Sequence, residues 1–284
     1  MALPSKQSLP DSVIRAIRSG RRVAYLSLTP FDYLWRALNG KSDLPPLHLR
    51  RHVGPLRSFE TSGAEFMAYL QLLCKLQPHE RVLDIGCGCG QMALHLLSYL
   101  DERGAYAGAD IHSPSINWCR RHIGRHHANF EFQYLDVKSD AYNPHGRHKA
   151  ENLRFTFADQ EFDVILLKSV FTHMRPVAVE NYLSEVARLL SKNGRSLATF
   201  FLLNERQGEL AQKGRNQLQF DYGDEIWRYV YQNSPESAVA YEEGFIMGLL
   251  DKYGLKLKEP IMYGRWSGRA DGLSYQDMLL LEKQ

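Results

Sequence analysis

Short apolar runs alternate with amphipathic segments along the middle of the chain. Five runs have the length and composition of strands, and they lie at residues 82–85, 106–110, 130–135, 163–167 and 196–203. Between them, apolar residues recur at helical spacing, for example at Tyr182, Val186 and Leu189. Such alternation predicts a parallel sheet covered by helices on both faces. Right-handed crossovers then make it a doubly wound α/β sheet, in which ligands bind at the carboxyl ends of the strands.

Two further apolar segments near the end of the chain extend this pattern. Residues 255–257 and 274–281 also have the composition of strands, and a tight connection would let them pair as an antiparallel edge hairpin. We therefore predict a Rossmann-like, mostly parallel sheet of seven strands. Residues 1–60 are interrupted by prolines such as Pro30 and Pro45, which predicts an irregular N-terminal arm with short helices.

A helix is expected to connect this arm to the sheet. Ser62 and Glu65 have the spacing of a capping box, which predicts that the helix begins there. Phe66 and Leu70 then share one face at helical spacing, and Pro78 would end the helix.

An aromatic-rich segment, residues 204–248, interrupts the alternation after the fifth strand. Its aromatic residues are Phe220, Tyr222, Trp227, Tyr229, Tyr231, Tyr241 and Phe245. They are expected either to form a lid over the strand ends or to pack a small helical subdomain. The predicted organisation is thus a basic arm (1–60), a core (61–203 and 249–284) and an inserted lid (204–248).

The charge of the chain is small overall but uneven. The 284 residues are 44% hydrophobic and 24% charged, which is typical of a globular protein. A net charge of +3 does not by itself indicate a nucleic-acid partner. The residues before Thr61, however, include ten basic and four acidic ones. The arm therefore either attracts an anionic partner or is a basic face exposed to solvent.

The spacing of the cysteines and the length of the apolar runs indicate in which cellular compartment the protein is expected. Cys74, Cys87, Cys89 and Cys119 lack the paired spacing of a disulfide-rich secreted module, and no second pair matches Cys87 and Cys89 as a metal site. We therefore expect no metal site. We also expect no signal peptide and no membrane span, because no apolar run is long enough for either. A cytoplasmic protein is the resulting expectation.

A glycine-rich loop follows the first strand, with the sequence DIGCGCG from Asp84 to Gly90. Glycines allow positive φ and close approach of a ligand, and the helix that follows offers free N–H groups. In the dinucleotide pattern G-x-G-x-x-G, counted from Gly86, the third glycine would fall at Gln91. The spacing G-x-G-x-G with a preceding acid therefore favours S-adenosylmethionine (SAM) over a nicotinamide cofactor.

An acidic residue, Asp110, ends the second strand. In this fold that position faces a ligand's ribose, and a carboxylate accepts hydrogen bonds from both ribose hydroxyls. The alternative is a surface Asp that caps the helix near Ser113.

The segment VLDIGCGCG, residues 82–90, resembles the first motif of the class I SAM-dependent methyltransferases. The resemblance covers residues 62–203 well and the terminal strands more loosely. It implies that the loop contacts the methionine part of SAM, through Gly86, Cys87, Gly88 and Gly90.

The same resemblance implies further cofactor contacts. It places Asp84 near the amino group of SAM, and Asp136, at the end of the third strand, near the adenine amino group together with the backbone of Val137. A capping or surface role is the alternative for Asp136. Ile111 would pack on the adenine face or in the core. Lys168, at the end of the fourth strand, is also expected to contact the cofactor.

The segment after the fourth strand, residues 167–174, is where the methyl acceptor is expected. It lacks the D-P-P-Y type sequence of DNA adenine methyltransferases, and the chain lacks the Pro-Cys pair of RNA cytosine methyltransferases, so no nucleic acid is expected. A hydroxyl acceptor must lose a proton, and His173 is the candidate base because its pKa lies near neutrality. A structural histidine that caps the next helix is the alternative, and a carboxylate acceptor would need no base.

The sequences SVFTHM, YLSEVARLL and SYQDMLLLEK are similar to those of bacterial methyltransferases of glycan and natural-product pathways. This narrower resemblance implies a small-molecule, sugar or lipid-linked acceptor that is methylated on a hydroxyl or an amine. Three alternatives remain open: methylation of protein or RNA, a non-catalytic SAM-binding regulator, and a dehydrogenase.

Overall fold

The computed structural model describes residues 11–54, 56–140 and 142–283. In these ranges the helices are α1 (Asp11–Leu38), α2 (Leu47–Arg50), α3 (Phe59–Leu72), α4 (Gln91–Leu96), α5 (Ser113–Cys119), α6 (Pro176–Leu189), α7 (Glu205–Gln212) and α8 (Glu243–Lys252). The strands are β1 (Arg81–Ile85), β2 (Ala105–Asp110), β3 (Phe130–Tyr134), β4 (Phe162–Leu167), β5 (Leu190–Phe200), β6 (Leu202–Leu203), β7 (Tyr222–Gly223), β8 (Trp227–Tyr229), β9 (Val239–Glu242), β10 (Leu255–Leu257) and β11 (Asp277–Lys283).

Seven strands form the main sheet in the order β10-β11-β5-β4-β1-β2-β3. Strands β1 to β5 pair in parallel, whereas β11 pairs antiparallel with both β5 and β10. This confirms the predicted doubly wound, mostly parallel sheet of seven strands. The strand order reverses beside β1, so the carboxyl ends of β1 and β4 border the crevice in which ligands of this fold bind.

Both faces of the sheet are covered, which explains the continuous apolar runs. Neighbouring side chains of β1 belong to different cores: Val82 packs on one side and Leu83 on the other, and both are fully buried. A strand with two buried faces has no polar side to alternate with.

A second, smaller sheet has the order β6-β9-β8-β7, and its strands contain Tyr222, Trp227, Tyr229 and Tyr241 of the aromatic-rich segment. Phe220 packs with Phe201 and Trp266 in a separate apolar cluster. Several aromatic side chains of residues 204–248 thus pack against a small sheet with flanking helices, whereas the predicted alternatives were a lid and a small helical subdomain.

Asp277, on β11, accepts one hydrogen bond from the second sheet and two from the connection between β10 and β11. Its carboxylate accepts from Leu202 N at 2.7 Å, Gly264 N at 2.6 Å and Trp266 Nε1 at 2.9 Å. The side chain is 1% exposed, so these donors depend on it for their partner.

The N-terminal arm differs from the prediction. Residues 11–38 form the single long helix α1, with Pro30 inside it. Pro30 lacks the N–H that would donate to Leu26 O, and the helix nevertheless continues to Leu38. In the turn after Pro30, Asp32 pairs with Arg36 and also accepts from Leu47 N and from the guanidinium of Arg50, so tertiary contacts outweigh the proline.

The helix that leads into the sheet begins earlier than predicted. Helix α3 starts at Phe59, with Ser58 at its N-cap, and it ends at Leu72, six residues before Pro78. The predicted capping box is therefore wrong: Ser62 lies within α3, where its hydroxyl accepts a hydrogen bond from Lys168.

The terminal strands pair as predicted, but without a tight connection. Residues 258–276 separate β10 from β11 and include the 3₁₀ turn Arg265–Ser267, which carries the buried Trp266. None of the helices in the described ranges is long and apolar enough to cross a bilayer.

Candidate active site

A cavity of about 590 Å³ lies at the carboxyl ends of β1, β2 and β4. This volume is within the usual range for small-molecule sites. Most of the predicted site residues line it, namely Asp84, Gly86, Cys87, Gly88, Asp110, Ile111, Val137, Lys168 and His173. Two predicted residues, Gly90 and Asp136, are not among the described residues that line it.

The glycine loop forms the floor of this cavity. Gly86 and Gly88 adopt φ of 80° and 55°, and the Gly86 N–H donates to Ala109 O at 2.7 Å. A Cβ at Gly86 would lie 2.5 Å from a Val170 methyl, and one at Gly88 would lie 2.7 Å from a Val53 methyl. Both the backbone conformation and the space therefore require glycine here.

Gly90 has a different role from the other two glycines. It is the N-cap of α4 with φ of 80°, and a Cβ there would meet Ile123 and Cys119 at 3.0 and 3.1 Å. Gly90 thus forms the start of α4. It is not among the residues that line the cavity, where a contact with the cofactor was predicted.

Asp84 presents a buried carboxylate to the cavity. It is 2% exposed and accepts a hydrogen bond from the Tyr106 hydroxyl at 2.8 Å. Burial raises the pKa of Asp84 to about 7, while the Tyr106 hydroxyl and the nearby Lys168 ammonium oppose the shift. A cationic ligand group would compensate this carboxylate and favour its ionised form.

Lys168 connects the end of β4 to α3 and α4. Its ammonium donates to Ser62 Oγ at 2.8 Å and to Gln91 Oε1 at 2.6 Å, and it lies 4.4 Å from the ring centroid of Phe66. Burial lowers the pKa of Lys168 to about 8. These contacts use two of its three donors, which leaves one for the cavity.

Asp110 anchors the loop from the neighbouring strand. One carboxylate oxygen accepts from Gly88 N and the other from His112 N, each at 2.7 Å. Burial raises the pKa of Asp110, and these two backbone donors counteract the rise. Each oxygen keeps a lone pair for a further donor, as a ribose recognition role requires.

Asp136 is held away from the cavity. Arg147 forms an ion pair with its carboxylate at 2.5 Å, and the Tyr134 hydroxyl donates to it at 3.3 Å. The neighbours Leu135 and Val137 line the cavity in its place. In this structure the carboxylate is therefore committed to Arg147, which the strand-end position alone did not reveal.

His173 stands on the opposite side of β1 from Asp110, in a 3₁₀ turn after β4. Its Nδ1 lies 2.9 Å from the backbone oxygen of Glu236, and its Nε2 lies 3.4 Å from the Tyr142 hydroxyl. Because a carbonyl oxygen can only accept, Nδ1 carries the proton and Nε2 has a free lone pair in the neutral ring. Burial lowers the pKa of His173, which favours this neutral form.

Several lining residues come from segments that have no local sequence signal. His52, Val53 and Gly54 reach the cavity from the N-terminal arm, and the His52 ring lies 4.4 Å from that of His112. Glu236 reaches it from the inserted segment. Gln91 was visible in the sequence as the residue that replaces the third dinucleotide glycine, but its bond to Lys168 was not.

Arg50, in the basic N-terminal arm, does not line the cavity. Arg50 is buried and forms an ion pair with Asp32. The N-terminal residues that do reach the cavity are therefore His52 to Gly54, which follow α2 directly.

Comparisons with known proteins find similarity to methyltransferases. Residues 82–194 match the family model described as a methyltransferase domain. The chain is 35% identical over 121 residues to a fatty-acid O-methyltransferase of Mycolicibacterium smegmatis, an alignment that covers 42% of this chain and 36% of the relative. It is also 27% identical over 146 residues to a squalestatin hexaketide synthase of a Phoma species, which covers 49% of this chain and 5% of the relative. The chain thus spans about a third or less of the length of these relatives.

Solved structures share the fold at low sequence identity. A protein of Pyrococcus horikoshii OT3 superposes with a TM-score of 0.53 at 16% identity, over 79% of this chain and 90% of the other. The 1,6-didemethyltoxoflavin N1-methyltransferase of Burkholderia thailandensis, solved with S-adenosylhomocysteine, gives 0.50 at 14% identity, over 99% and 93%. The matched family model and the shared fold thus indicate that residues 82–194 are similar to a methyltransferase domain.

Proposed function

We propose that this protein transfers the methyl group of SAM to a hydroxyl of a small acceptor, with His173 as the general base. The observation that carries the proposal is one continuous cavity that contains both the loop with its two acids and the Nε2 side of His173. Asp110 and His173 lie at the ends of strands on opposite sides of β1. A donor on the loop side and an acceptor on the His173 side would therefore meet above β1.

The residues of the loop side suit SAM. Asp84 offers a buried carboxylate to the amino group, and Gly86 and Gly88 adopt the positive φ that lets the loop backbone approach a ligand closely. Asp110 has lone pairs for the ribose hydroxyls, and Ile111 lines the same wall. Bound SAM supplies an electrophilic methyl group on a sulfonium, and the protein has to align an acceptor oxygen with it.

His173 is set up to remove a proton from that oxygen. The Glu236 carbonyl fixes the tautomer with Nε2 unprotonated, and the low pKa keeps the ring neutral at physiological pH. An acceptor hydroxyl within reach of Nε2 would take the place of the Tyr142 hydroxyl, 3.4 Å away. Its proton would pass to Nε2 as the carbon–oxygen bond forms.

A carboxylate acceptor is the second candidate, and the Mycolicibacterium relative supports it because that protein is a fatty-acid O-methyltransferase. Lys138, Lys149 and Arg175 line the cavity and could pair with a carboxylate. Such an acceptor is already ionised at neutral pH, so its methylation would not depend on His173.

The first experiment would combine purified protein, methyl-labelled SAM and an extract separated into small-molecule, glycolipid, protein and nucleic-acid fractions. Label in the first two fractions is expected. Label in protein or nucleic acid would contradict the acceptor class, and no label in any fraction would contradict the proposal.

The second experiment compares His173→Asn with His126→Asn, a control at an exposed position outside the cavity lining. For a hydroxyl acceptor, His173→Asn should lower kcat about 10²- to 10⁴-fold with little change in SAM affinity. The control should match the wild type. A kcat within threefold of the wild type would exclude His173 as the base and favour the carboxylate acceptor.

A further inference from the structure

The part of helix α1 from residue 24 to residue 38 has an inverted distribution of polar and apolar side chains. The residues on its protein-facing side include Thr29, Asp32 and Arg36, and the last two are 8% and 3% exposed. The solvent-facing side carries large apolar side chains, which are Leu28 (50% exposed), Phe31 (71%), Leu34 (60%), Trp35 (47%) and Leu38 (77%). We call this set the outer face of α1. Helices of globular proteins usually bury the apolar side.

The polar side of α1 is fixed in place by buried charges. Asp32 accepts from Arg36 Nε at 3.1 Å, from Leu47 N at 3.0 Å and from the guanidinium of Arg50. A rotation of α1 that buried Phe31 would break this network and leave buried charges unpaired, which is costly. The outer face therefore stays exposed because of the fold itself, and a contiguous apolar patch of this kind is typical of an interaction site.

The charge of the helix indicates the partner. The first half of the α1 sequence contains Arg15, Arg18, Arg21 and Arg22, with Asp11 as its acid. Beyond the helix, Lys41 lies 5.7 Å from the ring centroid of Trp35 and is paired with Glu60 at 2.7 Å, so the unbalanced positive charge belongs to the arginines of α1. A helix with Phe, Leu and Trp on one face and several arginines is typical of segments that lie in the interface of an anionic bilayer.

We propose that the outer face of α1 binds the surface of an anionic lipid bilayer, with the helix lying in the membrane plane. Apolar side chains would enter the acyl boundary, and the arginines would attract the lipid headgroups. A second copy of the chain is less suited, because two such helices would bring like charges together.

The same helix is connected to the cavity. Asp32 holds α2 through Leu47 and Arg50, and the residues that follow α2, His52 to Gly54, form part of the cavity wall. A bilayer-bound α1 would thus attach the membrane rigidly to one wall of the site. If the proposed methyl transfer is correct, this arrangement favours an acceptor that is drawn from the lipid phase. The binding test below does not depend on that transfer.

The test is flotation of the protein with vesicles of phosphatidylcholine alone and of phosphatidylcholine with 30% phosphatidylglycerol. The wild type should bind the anionic vesicles at least tenfold better than the neutral ones, and this preference should fall with added salt. The double substitution Phe31→Glu/Leu38→Glu should lower binding to anionic vesicles at least tenfold. Both positions are exposed, so its Tm should stay within about 2 °C of the wild type.

The matched control is Leu72→Glu, at an apolar position of α3 that is 66% exposed. It should bind vesicles as the wild type does. Absence of vesicle binding, equal binding to both vesicle types, or binding that survives the double substitution would each overturn the proposal. Light scattering without lipid completes the test: a monomer is expected, whereas a dimer that the double substitution dissociates would identify a second copy as the occupant.

Discussion

Replacing Asp110 with alanine should weaken binding of SAM and of its product S-adenosylhomocysteine about ten- to hundredfold. In the structure the carboxylate accepts from Gly88 N and His112 N at 2.7 Å and keeps lone pairs directed at the cavity. A hydrogen bond to a charged group contributes about 1.5–3 kcal/mol. Since about 1.4 kcal/mol corresponds to a tenfold change in affinity, the loss of one ribose bond gives this range.

The assay is a calorimetric titration with S-adenosylhomocysteine, which avoids turnover. Asp251→Ala, an exposed position on α8, serves as the control and should leave Kd unchanged. Asp110 also anchors the loop, so a ligand that lacks the ribose hydroxyls separates the two roles. If Asp110 acts on the hydroxyls, this ligand should bind the variant and the wild type with nearly equal affinity, because the two losses are not additive. A Kd for Asp110→Ala within twofold of the wild type would refute the assignment.

Three further predictions concern stability, the loop and pH. Asp277→Asn should lower the free energy of unfolding by about 1–3 kcal/mol, because an amide N–H₂ would face one of three buried donors; an unchanged urea midpoint would contradict this. Gly88→Ala should weaken SAM binding at least tenfold, since φ is 55° and the Cβ would be 2.7 Å from a Val53 methyl, whereas Gly208→Ala, with open space around it, should not. SAM affinity should fall up to tenfold per pH unit below about 7, because burial raises the pKa of Asp84 to about 7 and the ligand's ammonium needs the ionised carboxylate. Titrations between about pH 5.5 and 7.5, where the amine stays protonated, should show this slope in the wild type and lose it in Asp84→Asn.

The parts of the site that the sequence predicted are those with a strong local cause. Gly86 and Gly88 need positive φ and close approach, and the strand before them is apolar because both faces of β1 are buried. Asp84 and Asp110 follow from the same register, since the ends of neighbouring parallel strands meet at one edge. Local constraints of this kind allow few alternative residues, so such constraints can be recognised from a single sequence.

The parts that the sequence did not predict depend on partners far along the chain. The ion pair of Asp136 with Arg147, eleven residues later, could not be read from the position of Asp136 at a strand end. Pro30 predicts the end of a helix, but Asp32 in the following turn accepts from Leu47 N and from Arg50, which lie 15 and 18 residues later and hold the helix in place. In both cases a tertiary contact outweighs a local preference, and spacing along the chain carries no sign of it.

The two sides of the cavity therefore differ in how they are built. The donor side comes from loops that directly follow β1 and β2, and these loops are fixed by the sheet. The acceptor side is assembled from Tyr142, His173 and Glu236, which belong to three separate segments. Tyr142 and Glu236 lie outside the alternating pattern, so they can vary without disturbing the sheet. Acceptor specificity should accordingly respond to substitutions at Tyr142 with little change in SAM affinity, and equal losses for both ligands would contradict this division.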